Sequence, residues 1–257
     1  MDTIRMKSVI IGAGTYSEVY LAFLKDAGVD VVAFLDDDDN LIGKDVSGVP
    51  VIGKTDLIPI LKEKYGVEAV YCPIGSNKTR VQYLEISRYC GLKTPNYIHP
   101  TVVIAPNVRI ADEGVYILQA TQIMPFVTIE KDVMISAGSN VIHHCHLSQG
   151  TFISNGVNFG AFVLAEKYAY IGMGSTVMTG VKVVGEDALV GAGAVVVKDV
   201  PAGAVVAGVP AKVLRIKSID MINEKDHLGG AILQFRVQSL AFRANAGFAL
   251  LERRAAA

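Results

Sequence analysis

Apolar positions between residues 98 and 196 recur every six residues. The series runs Ile117, Ile123, Ile129, Ile135, Val141, Leu147, Ile153, Phe159, Ala165, Ile171 and Val177. Four residues after each stands a small or β-branched residue: Thr121, Val127, Val133, Ser139, Cys145, Thr151, Val157, Val163, Ala169, Ser175 and Val181. The frame continues backward through Ile110, Ile104 and Ile98 after a one-residue slip, and forward through Val184, Val190 and Val196 after another. A period of six matches neither the 3.6 of a helix nor the 2 of an ordinary strand. It predicts a β-solenoid, in which each short strand sends one residue inward to stack on its counterpart in the next coil. Three hexads make one triangular coil, so positions 18 apart should lie above one another.

The chain ahead of the repeat has a different rhythm. Lys7–Ile11, Val31–Leu35, Val67–Cys72 and Lys93–Tyr97 read as strands. Tyr16–Ala27, Thr55–Tyr65 (with Thr55 as its cap) and Asn77–Tyr89 read as helices. The order βαβαβαβ implies a small parallel sheet with helices on both faces. Prolines and glycines at Pro201, Gly203, Gly208 and Pro210 end the repeat. The expected domains are therefore an α/β unit over 1–97, a solenoid over 98–215 and a tail over 216–257. The tail is either a docking helix or an appended extension.

Composition narrows the setting. No run of about 18 apolar residues is present, so no membrane span is expected. The first residues carry no basic segment followed by an apolar core, so no secretory signal is expected either. Cys72, Cys90 and Cys145 lack CxxC spacing and read as reduced thiols, which places the protein in the cytoplasm. A net charge of −1 gives no electrostatic case for nucleic acid.

Two segments carry candidate chemistry. Gly12-Ala13-Gly14-Thr15 lies between a strand and a helix, where backbone N–H groups and a helix N-terminus can approach a diphosphate. Asp36 ends the second strand, where an acid can reach a ribose hydroxyl. A dinucleotide oxidoreductase would need a second half-domain, and about 97 residues leave no room for it. A tight turn without a ligand is the plainer alternative. The second segment holds three of the five histidines: His143, His144 and His146. His143 and His144 fall on the corner after inward Val141, and a neutral imidazole there is a natural general base. The 18-residue rule stacks His143 between Pro125 and Ala161, His144 between Phe126 and Phe162, and His146 between Thr128 and Leu164. None of these is a carboxylate. A metal would need a third ligand and a second-shell acceptor, and none is expected.

Beyond these residues the chain resembles the hexapeptide-repeat sugar acetyltransferases of sialic-acid and bacillosamine biosynthesis, which carry an N-terminal nucleotide-sugar domain. The matching stretches are Val9–Gly14, Phe34–Asp38, Gly48–Gly53, Ile74–Lys78, Tyr97–Pro100, Val141–His146 and Gly208–Lys212. The resemblance implies an N-terminal half-Rossmann domain, a left-handed parallel β-helix and a homotrimer. It implies transfer of acetyl from acetyl-CoA to an amine on a nucleotide-linked sugar, with a sugar hydroxyl or a purely binding role as alternatives. By the same resemblance His143 is the base and His144 its possible support. Gly12, Gly14, Thr15, Asp36, Asp37, Gly75, Asn77 and Lys78 would hold the nucleotide sugar. Phe152, Ala161, Met173, Gly191, Ala192 and Lys212 would line the acetyl-CoA site. The family usually has an acid after the catalytic histidine, where this chain has His144, and often a second histidine where it has Phe152.

Overall fold

The computed structural model describes residues 6–217. The expected tail from residue 218 onward lies outside the described residues. Contacts divide the chain into two compact units: residues up to Ile74 together with Gln82–Thr94, and Gly75–Val81 together with the chain from Pro95.

In the first unit, β1 (Lys7–Ile11), α1 (Thr15–Asp26), β2 (Asp30–Leu35), β3 (Asp45–Val46), β4 (Val49–Gly53) and β5 (Ala69–Tyr71) follow in order. The sheet runs β3-β4-β2-β1-β5 and is parallel except for the β3–β4 hairpin. That hairpin is not in the predicted order. Its two-residue turn, Ser47 (φ 50°) and Gly48 (φ 83°), has the paired positive φ values that match strand twist.

The predicted helix over Thr55–Tyr65 is a 3₁₀ turn, Thr55–Ile60, followed by α2 (Leu61–Tyr65). Pro59 supplies no N–H and keeps the first segment from winding as an α-helix. Thr55 does not cap it; its N–H and hydroxyl both donate to Asp37 Oδ1, at 3.0 and 2.8 Å. Lys93–Tyr97 is not a strand of this sheet. Lys93 makes one bridge to Ala69, and Pro95 then lacks the donor to extend the ladder. Val9, Ile11, Ala33, Leu35, Ile58, Leu61, Val70 and Leu84 form the apolar core.

The second unit is the solenoid, a left-handed parallel β-helix. Two-residue strands stack into three faces. One face contains Met134–Ile135 and Phe152–Ile153, the next Asn140–Val141 and Asn158–Phe159, the third His146–Leu147 and Leu164–Ala165. Ile123 pairs with Val141 and Val141 with Phe159, the expected 18-residue register. Ile104 to Ile123 and Ala165 to Val184 span 19, which accommodates the two slips. Every inward residue of both series, from Ile117 to Val181, is at most 2% exposed.

The corners are equally periodic. Ala120, Phe126, Asp132, Gly138, His144, Gly150, Gly156, Phe162, Tyr168 and Gly174, six residues apart, all have φ between 56° and 72°. Coils pack so closely that a Cβ on Gly172 would lie 2.5 Å from Val190 O and 2.8 Å from Ala192 N.

The helix α3 (Asn77–Tyr89) starts within this unit. Arg80, fully buried, donates from Nε to Asp132 O at 3.1 Å and from Nη2 to Gly150 O at 2.9 Å. The first turn of α3 is thereby fastened to the coils.

Two stability outcomes follow. Gly172→Ala meets backbone that cannot give way, and should cost about 1–3 kcal/mol, read as a lower thermal midpoint. An unchanged midpoint would contradict the close-packed coil. Burial raises the Asp37 carboxyl, but hydrogen bonds from Thr55 N–H, Tyr83 and the Thr55 hydroxyl, with the nearby Lys54 charge, leave it below its ordinary value. A depressed folded-state pKa stabilises above the unfolded value and is lost as pH falls through the folded one. Asp37→Asn should therefore lower the urea midpoint at pH 7, with the deficit shrinking below about pH 4, near the ordinary aspartate value. A deficit independent of pH would refute that role.

Candidate active site

The histidine segment takes its shape from the coil. Asn140–Val141 ends one face, and His146–Leu147 begins the next. Between them His143 is half-buried, His144 occupies the left-handed corner (φ 59°) and Cys145 points inward. Phe162 N–H donates to His143 O at 3.2 Å, and His144 N–H to Pro125 O at 3.2 Å, so the coils before and after fix this backbone.

The rings are ordered as well. His144 lies between two phenyl rings, stacked on Phe162 at 4.8 Å between centroids and tilted by 32° against Phe126 at 4.7 Å. His143 stands edge-on to both His144 and Phe162, at 5.2 Å. Nδ1 of His143 lies 3.1 Å from Nδ1 of His144. One ring donates and the other accepts, so each fixes the other's tautomer. Burial raises the Cys145 thiol to about 11, which keeps it protonated at neutral pH and unsuited to nucleophilic attack.

His146 does have an acidic partner, which the 18-residue rule does not reveal. Its Nε2 lies 2.7 Å from Glu130 Oε1, a diagonal contact 16 residues back. Glu130 also accepts the Gln149 N–H at 2.9 Å. Burial raises the Glu130 carboxyl, but these two hydrogen bonds and the His146 and Lys167 charges bring it below its ordinary value.

Other predicted residues divide by corner. Ala161 lies one coil after His143, and its N–H donates to Thr179 Oγ1 at 3.1 Å. Met173, Gly191 and Ala192 lie on a different corner, the one that precedes the histidine corner in each coil, with Met173 and Ala192 exposed. Phe152 stands apart on a different face. It is 6% exposed, edge-on to Tyr170 at 5.1 Å and 5.9 Å from the Arg80 guanidinium. Lys212 is exposed on the closing strand, Ala211–Ile216.

In the first unit the glycine turn is open where it needs to be. Gly14 precedes α1 without a side-chain cap, and Gly14 and Thr15 are exposed, so first-turn N–H groups face outward. Gly12 (φ 88°) has Ile74 Cγ1 3.0 Å from where a Cβ would sit. The Asp36 carboxylate holds this turn: Oδ2 accepts Ala13 N–H at 2.7 Å and Oδ1 accepts Asp38 N–H at 2.9 Å. Asp37 accepts from Thr55 and, through Oδ2, from the Tyr83 hydroxyl at 2.7 Å.

In the solenoid unit, Gly75 is exposed ahead of α3. The Asn77 amide is engaged on both sides: Nδ2 donates to Tyr168 O at 2.8 Å, and Oδ1 accepts from Arg80 Nη2 at 2.9 Å. Lys78 Nζ lies 3.0 Å from Asp187 Oδ2. Arg80 itself gives no sequence signal, because a lone arginine on a helix reads as a surface residue. Among the described residues no cluster of three or more His, Cys, Asp or Glu could hold a metal ion, and no helix is long and apolar enough to cross a membrane.

Comparison with known proteins follows the same architecture. Residues 7–86 match the family model described as the PglD N-terminal domain. The chain is 30% identical over 225 residues to GDP-perosamine N-acetyltransferase of Escherichia coli O157:H7, covering 80% of this chain and 95% of that enzyme. The acetyltransferase domain of PglB from Neisseria gonorrhoeae superposes with a TM-score of 0.72 at 30% identity, over 82% of this chain and 100% of that domain. A histidine-to-asparagine variant of perosamine N-acetyltransferase from Caulobacter crescentus, in complex with CoA and GDP-perosamine, superposes with a TM-score of 0.56 at 32% identity, over 80% and 96%. With repeat, turn, histidine corner and relatives in agreement, the chain belongs to the sugar acetyltransferases of the bacillosamine and perosamine type and is an acetyl-CoA-dependent acyltransferase.

Proposed function

We propose that this enzyme acetylates an amino group on a sugar carried by a nucleoside diphosphate, with His143 as general base. The observation that carries this reading is the corner itself. Among the described residues, Nδ1 is the only atom of the His143 ring in a hydrogen bond, which leaves Nε2 for the acceptor. The relatives named for N-acetylation of GDP-perosamine support the choice of an amine. In the proposed step the amine nitrogen attacks the thioester carbonyl. The C–N bond forms, the C–S bond breaks, the amine proton passes to His143 Nε2, and from there it reaches the departing CoA sulfur. An amine needs to lose one proton in this reaction, and a neutral imidazole suffices for that.

Residues 1–97 form the nucleotide-sugar domain in this reading, and 98–215 the acetyltransferase domain. The outward N–H groups at Gly14 and Thr15 suit a diphosphate. Gly12 permits the turn, and lone pairs for a ribose or base remain on Asp36, which holds the turn, and on Asp37, which holds Thr55 and Tyr83. Gly75 and Asn77 offer backbone groups, since the Asn77 amide is already engaged. Lys78 would reach a phosphate only by leaving Asp187. Ala161, Met173, Gly191, Ala192 and Lys212 line the proposed CoA path. Phe152, buried beside Arg80, contributes to that path only as packing.

We assign the working form as a cytoplasmic homotrimer. Met124, Phe126, Phe162 and Met178 are 38–62% exposed in the single chain around the histidine corner, an apolar surface suited to a subunit interface.

Thiol release from acetyl-CoA with GDP-perosamine, or another amino-sugar nucleotide, tests the base. His143→Ala should lower kcat by roughly 100- to 10,000-fold, the usual contribution of a positioned base. Turnover equal to the parent would remove His143 from the chemistry. Sizing by light scattering should give three chains per particle, and a stable monomer would end the interface reading.

A further inference from the structure

The column of left-handed corners around His144 reads Asn107, Phe126, His144, Phe162, Gly180, with φ of 63°, 65°, 59°, 61° and 106°. An L-residue at such a corner costs roughly 1–2 kcal/mol that glycine avoids. Glycine is used at Gly138, Gly150, Gly156 and Gly174. This column instead carries three consecutive aromatic rings, with the imidazole in the middle. The stack leaves the His144 ring plane fixed, and its Nδ1 meets the Nδ1 of His143.

We propose that His144 is a positioning residue, clamped between Phe126 and Phe162 so that its Nδ1 accepts the His143 Nδ1–H and holds the His143 Nε2 lone pair free for the acceptor amine. This rests on the reading of His143 as the base. The opposite direction of donation would place the remaining proton of His143 on Nε2 and disable it. The neighbouring coils supply no competing group: Pro125 and Phe126 come from one side, Ala161 and Phe162 from the other. On the same coil, Cys145 Sγ is directed to Gly160 O at 2.9 Å, and His146 is turned to Glu130. An imidazole is thus the group within reach of His143 Nδ1. It supplies the acceptor without the negative charge.

His144→Phe separates this role from packing, because Phe already adopts the same backbone at Phe126 and Phe162 and would complete the stack. With acetyl-CoA and GDP-perosamine as the probe pair, kcat should fall at least about tenfold, part of what a positioned base supplies, with KM for both substrates unchanged. The acid limb of the kcat profile should move to lower pH, since an acceptor on Nδ1 favours the imidazolium. His144→Glu should restore kcat and move that limb to higher pH, because a carboxylate favours the cation more. Nitrogen-15 NMR of labelled histidines, free of any substrate, should show His143 protonated at Nδ1 and bare at Nε2 in the parent enzyme. A parent-like kcat and acid limb in His144→Phe, or a proton found on Nε2 with Nδ1 bare, overturns the proposal. If His143→Ala is inactive in the same assay, the base reading survives that loss; if His143→Ala is active, both fall.

Discussion

From Ala120 to Gly174 the coil turns its backbone through the left-handed region at each corner, and the rest of the solenoid depends on that constraint. Ten positions from Ala120 to Gly174 meet it without exception. The corner spacing brings Ile117, Ile135 and Ile153 into one inward stack, and lets each short strand satisfy its N–H and C=O groups on the coils before and after. It also decides which residues become neighbours in space. His143 and His144 are ordinary residues in the chain, and the corner makes them a hydrogen-bonded pair between two phenyl rings.

Much of this was legible in the sequence because the repeat is a direct record of stacking. The six-residue frame gave the core and both slips, and the 18-residue rule gave the aromatic neighbours of His144. It could not show Glu130 beside His146, because side chains lean along and across the coil and reach diagonal partners. Arg80 was hidden for another reason. A buried arginine is recognised by the carbonyls that satisfy it, and those come from Asp132 and Gly150, which no local pattern links to residue 80. Ahead of the repeat, propensity placed β1, α1, β2 and α3 correctly. It failed where proline and turn chemistry override apolar pattern, at Thr55–Ile60, at Lys93–Tyr97 and at the Ser47-Gly48 turn.

The acidic residues show how a site motif can be read too simply. Asp36 and Asp37 follow the second strand as a ribose-binding acid would, yet both carboxylates first serve their own fold. Asp36 fastens the glycine turn, and Asp37 fastens Thr55 and Tyr83. Tyr83 is raised to about 12, by burial first and Asp37 second, and remains a hydrogen-bond donor at working pH. A turn held in this way presents the α1 N-terminus in one fixed geometry, which is what binding a diphosphate requires.

We propose that acetyl transfer takes place at the solenoid corner, through His143. A crystal structure of the protein with CoA and GDP-perosamine bound together addresses it most directly. The sugar amino nitrogen should then lie within hydrogen-bond reach of His143 Nε2, at about 3 Å, with the CoA sulfur beside it. An amino group held elsewhere in a complex containing both ligands, with His143 out of reach, would contradict it.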